Sequence, residues 1–276
     1  LGFMLATIAV MFLYAGKMIK PAIAYAALII FCSIDLFGVS RRYLKEENFV
    51  EPADLEAGYA DTRADIQLKA DTGYYRIINL AFPGQNGYSV DLGNSFNDAI
   101  ASYKHNNIGG YSPAKLGLYQ DLIEKQIFPN IQAWGTNPMA KDSFPVLNML
   151  NMKYAILPDQ RDQRQTQAVL NPFALGNCWL VKEVKFVKNA DEEMNSLNSF
   201  DPKQVAFVGE RFKAAVPFSP VYDSAAYIKL IENKNDEIKY EFNAATNQYA
   251  VFSEIYYPHG WKALIDGRSE EHTSEL

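Results

Sequence analysis

A chain of 276 residues with 49% hydrophobic and 21% charged side chains can bury a sizeable core, which excludes a disordered, collagen-like or disulfide-stapled class. Its 26 basic and 32 acidic residues give a net charge of −6, so no global field draws nucleic-acid phosphates and no nucleic acid is expected as a partner. The two cysteines, Cys32 and Cys178, lack the paired spacing of a disulfide framework, a zinc site or a redox motif.

The charges are segregated: residues 1–40 hold only Lys17, Lys20 and Asp35. Leu1 to Gly16 is uncharged, and its 16 residues fall short of the roughly 17 to 25 that span a bilayer, so a first span reads as truncated. Pro21 to Val39 offers a second apolar run whose only charge is Asp35. With four residues between them, the two runs predict a transmembrane hairpin over 1–39; a buried hairpin of a soluble protein is the alternative. Lys17 and Lys20 argue for a cytoplasmic turn, whereas Arg41, Arg42 and Lys45 at the far end pull the other way. Asp35 suits an ion site or, more simply, an interfacial carboxylate.

Residues 40–70 are acidic and weakly periodic, broken by Pro52 and Gly58, and read as a linker with some helix. A mixed α/β domain is expected over 71–204. Tyr74 to Leu80 has strand character, and Ser112-Pro113 places an N-cap and a first-turn proline before the helical spacing of Leu116, Tyr119, Leu122, Ile123 and Ile127. Ser143 to Asn151 predicts a short helix, Tyr154 to Leu157 and Trp179 to Val187 strands, and Asn189 with Glu192 a capped helix through Leu197. From 205 to 267 the runs Tyr227–Ile231, Ile238–Phe242 and Gln248–Tyr256 predict an incomplete β-sandwich. Residues 268–276 resemble a translated sequencing adapter and are set aside. The fold expected is thus a membrane-anchored α+β chain: a two-helix hairpin, a mixed α/β extracytoplasmic domain, then a truncated sandwich.

No nucleophile elbow, P-loop, dinucleotide fingerprint or zinc-protease helix occurs, the three histidines are scattered, and no Asp-x-Asp pair is available for a nucleotide-sugar metal. No catalytic residue, metal or cofactor is therefore assigned. The most unusual stretch, Ser102 to Lys115, gathers aromatics, an imidazole and a lysine around Gly109 and Gly110. Tyr103 and Tyr111 suit the apolar face of a pyranose, His105 a proton transfer and Lys115 a phosphate charge, beside backbone donors of a helix starting at Pro113. A glycine turn with core tyrosines and a solvated lysine is the plainer reading. Tyr256 to Gly267 suits a carbohydrate platform, or else a sandwich filled by Trp261 and Leu264 and closed by an Asp266-Gly267 turn.

Six segments, in order, together resemble the YfhO family of bacterial multi-pass membrane proteins: Asp35 to Leu44, Tyr75 to Leu80, Ser95 to Asp98 with Ser102 to Lys115, Val146 to Tyr154, Asn171 to Asn177, and Tyr257 to Gly267. The resemblance implies the C-terminal part of a polytopic envelope glycosyltransferase-like protein in the bacterial inner membrane, with the soluble part outside the cytoplasm. Its implied partners are membrane lipid, a polyprenyl-phosphate sugar donor and an envelope glycan acceptor. The family's acceptor-activating carboxylate has no match here, so the fragment alone is expected to be inactive. A non-enzymatic component of lipid-linked sugar export and an envelope sugar-binding or assembly module remain open alternatives.

Overall fold

The computed structural model describes residues 2–221, 223–257 and 259–266, and the backbone of 268–269. Two compact units divide at Ala60 and Asp61. In the first, α1 (Gly2–Ala15) and α2 (Pro21–Tyr43) pack Phe3 on Phe31 and Tyr14 on Tyr25, ring pairs whose order along the two helices makes them antiparallel. Pro21 opens α2 at a position where no N–H is needed, and Arg41 and Arg42 complement the partial negative charge of its last turn. Their outer surfaces are apolar: Phe12, Ile29 and Phe37 are exposed, and of the two helices only Ala24 is buried. At 23 residues α2 is long and apolar enough to cross a membrane, whereas α1, at 14, is not. A short helix, α3 (Pro52–Gly58), completes the unit.

The second unit begins with α4 (Arg63–Lys69), so the linker expected over 40–70 is shortened at both ends: α2 runs on to Tyr43, and α4 belongs to the folded body. Ala64 and Leu68, four apart on one helical face, are fully buried there. A stripe of two residues is too short to stand out as periodicity. Next come β1 (Arg76–Asn79), the hairpin β2 (Ala81–Gly84) and β3 (Gly87–Val90), and α5 (Ile100–Lys104). A long helical run follows: α6 (Gly117–Leu122), a widened π-type turn at Ile123–Ile127, and α7 (Phe128–Thr136). The helix expected from Pro113 thus starts four residues later, because Leu116 is extended, with ψ 134°. The widening directly precedes Pro129, which cannot donate to the preceding turn and whose ring would meet its carbonyl.

After α8 (Pro145–Met149), Asn151 takes φ 55° and turns the chain into β4 (Met152–Pro158), which lies parallel to β1 and antiparallel to β5 (Thr166–Leu170). The pleat of this three-stranded sheet separates two cores. Ile78 and Ala155 face the helical side with Phe96, Ile108, Ile127, Trp134, Phe144 and Leu147. Their neighbours Ile77 and Ile156 face α4, with Ala64, Leu68, Tyr75 and Ala101. Asn171 joins the segments it separates in sequence: its Nδ2 donates to Asn148 Oδ1 at 3.0 Å and to the Met152 carbonyl at 2.8 Å.

The strand expected over Trp179–Val187 is split at Lys182 into β6 (Cys178–Val181) and β7 (Glu183–Val187). The capped helix forms as α9 (Ala190–Ser196): Asn189 Oδ1 accepts from Glu192 N at 2.9 Å, and the Glu192 carboxylate reaches back to Lys188 N at 2.8 Å. Beyond it comes β8 (Val205–Gly209), a strand the sequence reading does not foresee; β9 (Tyr227–Asn233), β10 (Ile238–Asn243) and β11 (Tyr249–Phe252) fall on the expected runs, but the four build no two-sheet sandwich among the described residues. Strand β8 pairs with β7 and β11 with β6, across the boundary expected at 204/205, while β9 and β10 form a separate ladder. Strand propensity is local, whereas the choice of partner is set by packing. A last pair, β12 (Leu264–Ile265) with β13 (Arg268–Ser269), turns at Asp266, whose φ is 50° as the Asp-Gly signal predicts. Trp261 and Leu264 are exposed rather than filling a core. The adapter-like segment from 270 onward, including His272, lies outside the described residues.

Candidate functional site

The stretch singled out in the sequence is held by β1 on one side and by glycine contacts on the other. Ile77 N donates to the Asn106 carbonyl at 2.8 Å and Ile108 N to the Ile77 carbonyl at 2.9 Å, so 106–108 docks along the free edge of β1. Gly110 N donates to the Ser95 carbonyl at 2.8 Å. A Cβ on Gly109 would collide with that same carbonyl, and Gly110 sits at φ 96° with its α-carbon face against Ser102. Gly109→Ala is therefore expected to destabilise the protein by about 2 kcal/mol, since the obstacle is backbone and cannot swing aside. Gly135→Ala, in open space on α7, is expected to be neutral or to stabilise by about 0.5–1 kcal/mol. Denaturant midpoints of the two variants check the contrast.

Docking 106–108 on β1 fixes His105 and Lys104 opposite α4. The His105 Nε2 lies 2.8 Å from Asp65 Oδ1, and Lys104 Nζ lies 2.9 Å from Asp65 Oδ2 and 3.6 Å from Asp61 Oδ1. All three side chains centred on Asp65 are at least nine-tenths buried. Asp65 also accepts from Thr62 N and Oγ1, closing a capping box at the start of α4, and Lys69 pairs with Asp61. Burial opposes ionisation of Asp65, but the hydrogen bonds from His105, Lys104 and Thr62 outweigh it and hold the carboxyl well below the usual carboxylate range. An ionised Asp65 makes His105 Nε2 the donor, so in the neutral ring Nδ1 is the acceptor. Nδ1 makes no hydrogen bond among the described residues.

His105 and Tyr103 line one open, polar cleft of about 310 Å³ with Gly73, Tyr75, Ser102 and Asn106. Tyr103 is 75% exposed at its rim. The floor is stiff: Tyr75 donates to the Leu68 carbonyl at 2.8 Å and meets Tyr154 edge-on, and Lys153 bridges both rings to Asp71. Lys153 and the Gly73 amide hold Asp71 below the ordinary range, and burial together with Asp71 raises Tyr154 to about 12. Lys115 stands elsewhere, in a second, mainly apolar cleft of about 270 Å³ with Gly109 and Gly110. Tyr111 is exposed and lines neither cleft. The four residues expected to share one surface are thus divided by the glycine turn, with no helix start at Pro113 to draw them together.

Asp65 and Asp61, which organise the first cleft, were not singled out by sequence reasoning. The available signal was Thr62-Arg-Ala-Asp65, a capping-box spacing before an apolar residue, which announces a helix start but not a partner 40 residues away. No group of three His, Cys, Asp or Glu side chains among the described residues is placed to hold a metal ion. The residue types that line the first cleft are an imidazole, a hydroxyl, an amide, an ammonium and two phenol rings, from His105, Ser102, Asn106, Lys104, Tyr103 and Tyr75. No protein-family model, curated protein or solved structure matches the chain.

Proposed function

We propose that the chain is part of a multi-pass envelope glycosyltransferase-like protein of the YfhO type, and that its folded unit binds the sugar of a polyprenyl-phosphate donor used to modify a cell-envelope glycan. In this reading α1 and α2 are a hairpin in the bacterial inner membrane and the unit from Asp61 onward is extracytoplasmic. The outward apolar side chains of α2 support insertion, because in water they would leave a continuous apolar surface uncovered. The observation that carries the sugar assignment is the polar cleft itself: a ring nitrogen of His105, fixed through Asp65, beside the exposed Tyr103 face. Such a pairing of a directed acceptor with an aromatic plane suits a polyol with one apolar face.

A second reading, a sugar-binding or export module without transfer chemistry, draws on a specific feature. The residues lining the cleft include no carboxylate, since Asp65 is buried behind His105 and Lys104. Under either reading the full chain in lipid nanodiscs should crosslink to a photoreactive polyprenyl-phosphate sugar. Tyr103→Ala and His105→Gln should each weaken that capture by about tenfold, the effect of one lost stacking or hydrogen-bond contact. Undiminished capture in both variants would overturn the site. Sugar transfer by the captured complex separates the first reading from the second.

The topology has its own test. A cysteine at Gly58, in α3, is expected to react with an impermeant thiol reagent from outside intact spheroplasts, with Cys32 and Cys178 replaced by serine. Protection at 58 with labelling at Ile19 would invert the orientation.

A further inference from the structure

The second cleft is built for a different chemistry from the first. Phe96 and Ile108 form its buried base, and Tyr119, Leu116 and Ile255 its walls. Besides Lys115 the polar side chains of the lining are Ser112 and Tyr119, and the Tyr119 hydroxyl is already spent on the Ile108 carbonyl at 2.6 Å, burial raising its pKa to about 12. At the edge stands Lys115, half-buried, 5.8 Å from the Phe96 ring centre. Its ammonium has three donors, and among the described residues the partner found for it is the neutral amide of Gln120 at 3.2 Å, which in turn donates to Glu124. No carboxylate lies in ion-pair contact with Lys115 among the described residues, whereas Lys104, Lys69 and Lys153 each pair with an aspartate.

From this we infer that the cleft binds a single-chain anionic amphiphile of the fatty-acid type, its hydrocarbon on Phe96, Ile108 and Ile255 and its carboxylate on Lys115. A half-buried cation without a counter-ion is stabilised by an incoming anion, and the apolar walls reward a chain attached to it. A single ammonium at the mouth, with no second cation in the lining, fits a monoanion rather than a dianionic phosphate monoester. Ile255 directly follows Glu254, which Arg76 clamps at 2.7 Å, so the C-terminal segment forms a fixed wall. This site is separate from the sugar cleft and does not depend on it.

Titration of the full chain in nanodiscs with dodecanoate, below its micellar concentration and followed by calorimetry, tests the inference. One saturable site is expected, with dodecanol binding at least about tenfold more weakly. Lys115→Met should reduce dodecanoate to the dodecanol level, and Lys115→Arg should retain it. Ala114→Trp, which fills the mouth from an exposed position, should abolish binding of both without disturbing the fold, as far-ultraviolet dichroism would register. Tyr103→Ala should leave dodecanoate binding intact, which keeps this result distinct from the sugar assignment. Absence of a saturable site, equal affinity for dodecanol, indifference to Lys115→Met, or tighter binding of dodecyl phosphate than of dodecanoate would each overturn it.

Discussion

Replacing Asp65 by alanine is expected to cost about 3–5 kcal/mol of unfolding free energy, because it removes the carboxylate to which the buried His105 and Lys104 side chains both bond. Lys104 would lose its 2.9 Å contact and His105 the acceptor that fixes its ring, and Thr62 would lose its capping partner. Asp65→Asn retains the shape and one acceptor, so it should fall between wild type and alanine. The same carboxylate also sets an acid limb. Its folded-state pKa is depressed, so its contribution is complete above the unfolded value near 3.8 and is lost as pH falls below that toward the folded value. Wild-type stability should therefore decline below about pH 4 more steeply than that of Asp65→Asn. Urea unfolding followed by tryptophan fluorescence at pH 7, 4 and 3 measures both effects; equal slopes for the two proteins would remove Asp65 as the cause.

The second large effect is expected at Arg76. Its guanidinium donates to Glu254 Oε2 at 2.7 Å, to the Ser253 carbonyl at 2.5 Å and to the Leu150 carbonyl at 3.3 Å, so it joins the start of β1 to the chain leaving β11. Both partners of the ion pair are less than one-fifth exposed, and Glu254 Oε1 already has no hydrogen-bond partner among the described residues. Arg76→Ala would strand that carboxylate, at an expected cost of about 3–5 kcal/mol. Arg76→Lys keeps the charge but cannot reproduce the fork, and should recover only part. The double variant Arg76→Met/Glu254→Leu should be more stable than Arg76→Ala alone, since no buried charge is then left unpaired. If Glu254→Gln in the Arg76→Ala background restored nothing, the loss would belong to the carbonyl contacts instead. Because Glu254 positions Ile255, Arg76→Ala should also weaken dodecanoate binding in the second cleft.

Much of the local structure was legible in the amino-acid order, because it depends on neighbours within a few residues. Asn189 with Glu192 announced α9, Asp266 announced its turn, and the strand-like runs Tyr227–Ile231 and Ile238–Phe242 announced β9 and β10. The apolar run of α2 was equally plain, and so was the crowding of chemistry-bearing side chains between Ser102 and Lys115. The helix start at Gly117 rather than Pro113 was not legible, because the Ser-Pro signal marks a permitted start, and a permitted start need not be the one that packing selects.

What the sequence by itself determined is the mixed α/β character, the apolar N-terminal helices and the identity of the residues available for a site. Tertiary structure alone decided which of those residues meet. His105 and Lys104 find Asp65 because α4 and the edge of β1 bury their apolar faces in one core, through Ala64, Leu68, Ile77 and Ala101. Lys115 is turned into another cleft because Gly109 and Gly110 let the chain close on Ser95 and Ser102. Strands β8 and β11 pair with β7 and β6, rather than with one another, for the same kind of reason. Propensities act over a few residues, whereas these contacts join residues as far apart as Cys178 and Phe252, and burial of apolar surface, which carries no sequence-local mark, chooses among them.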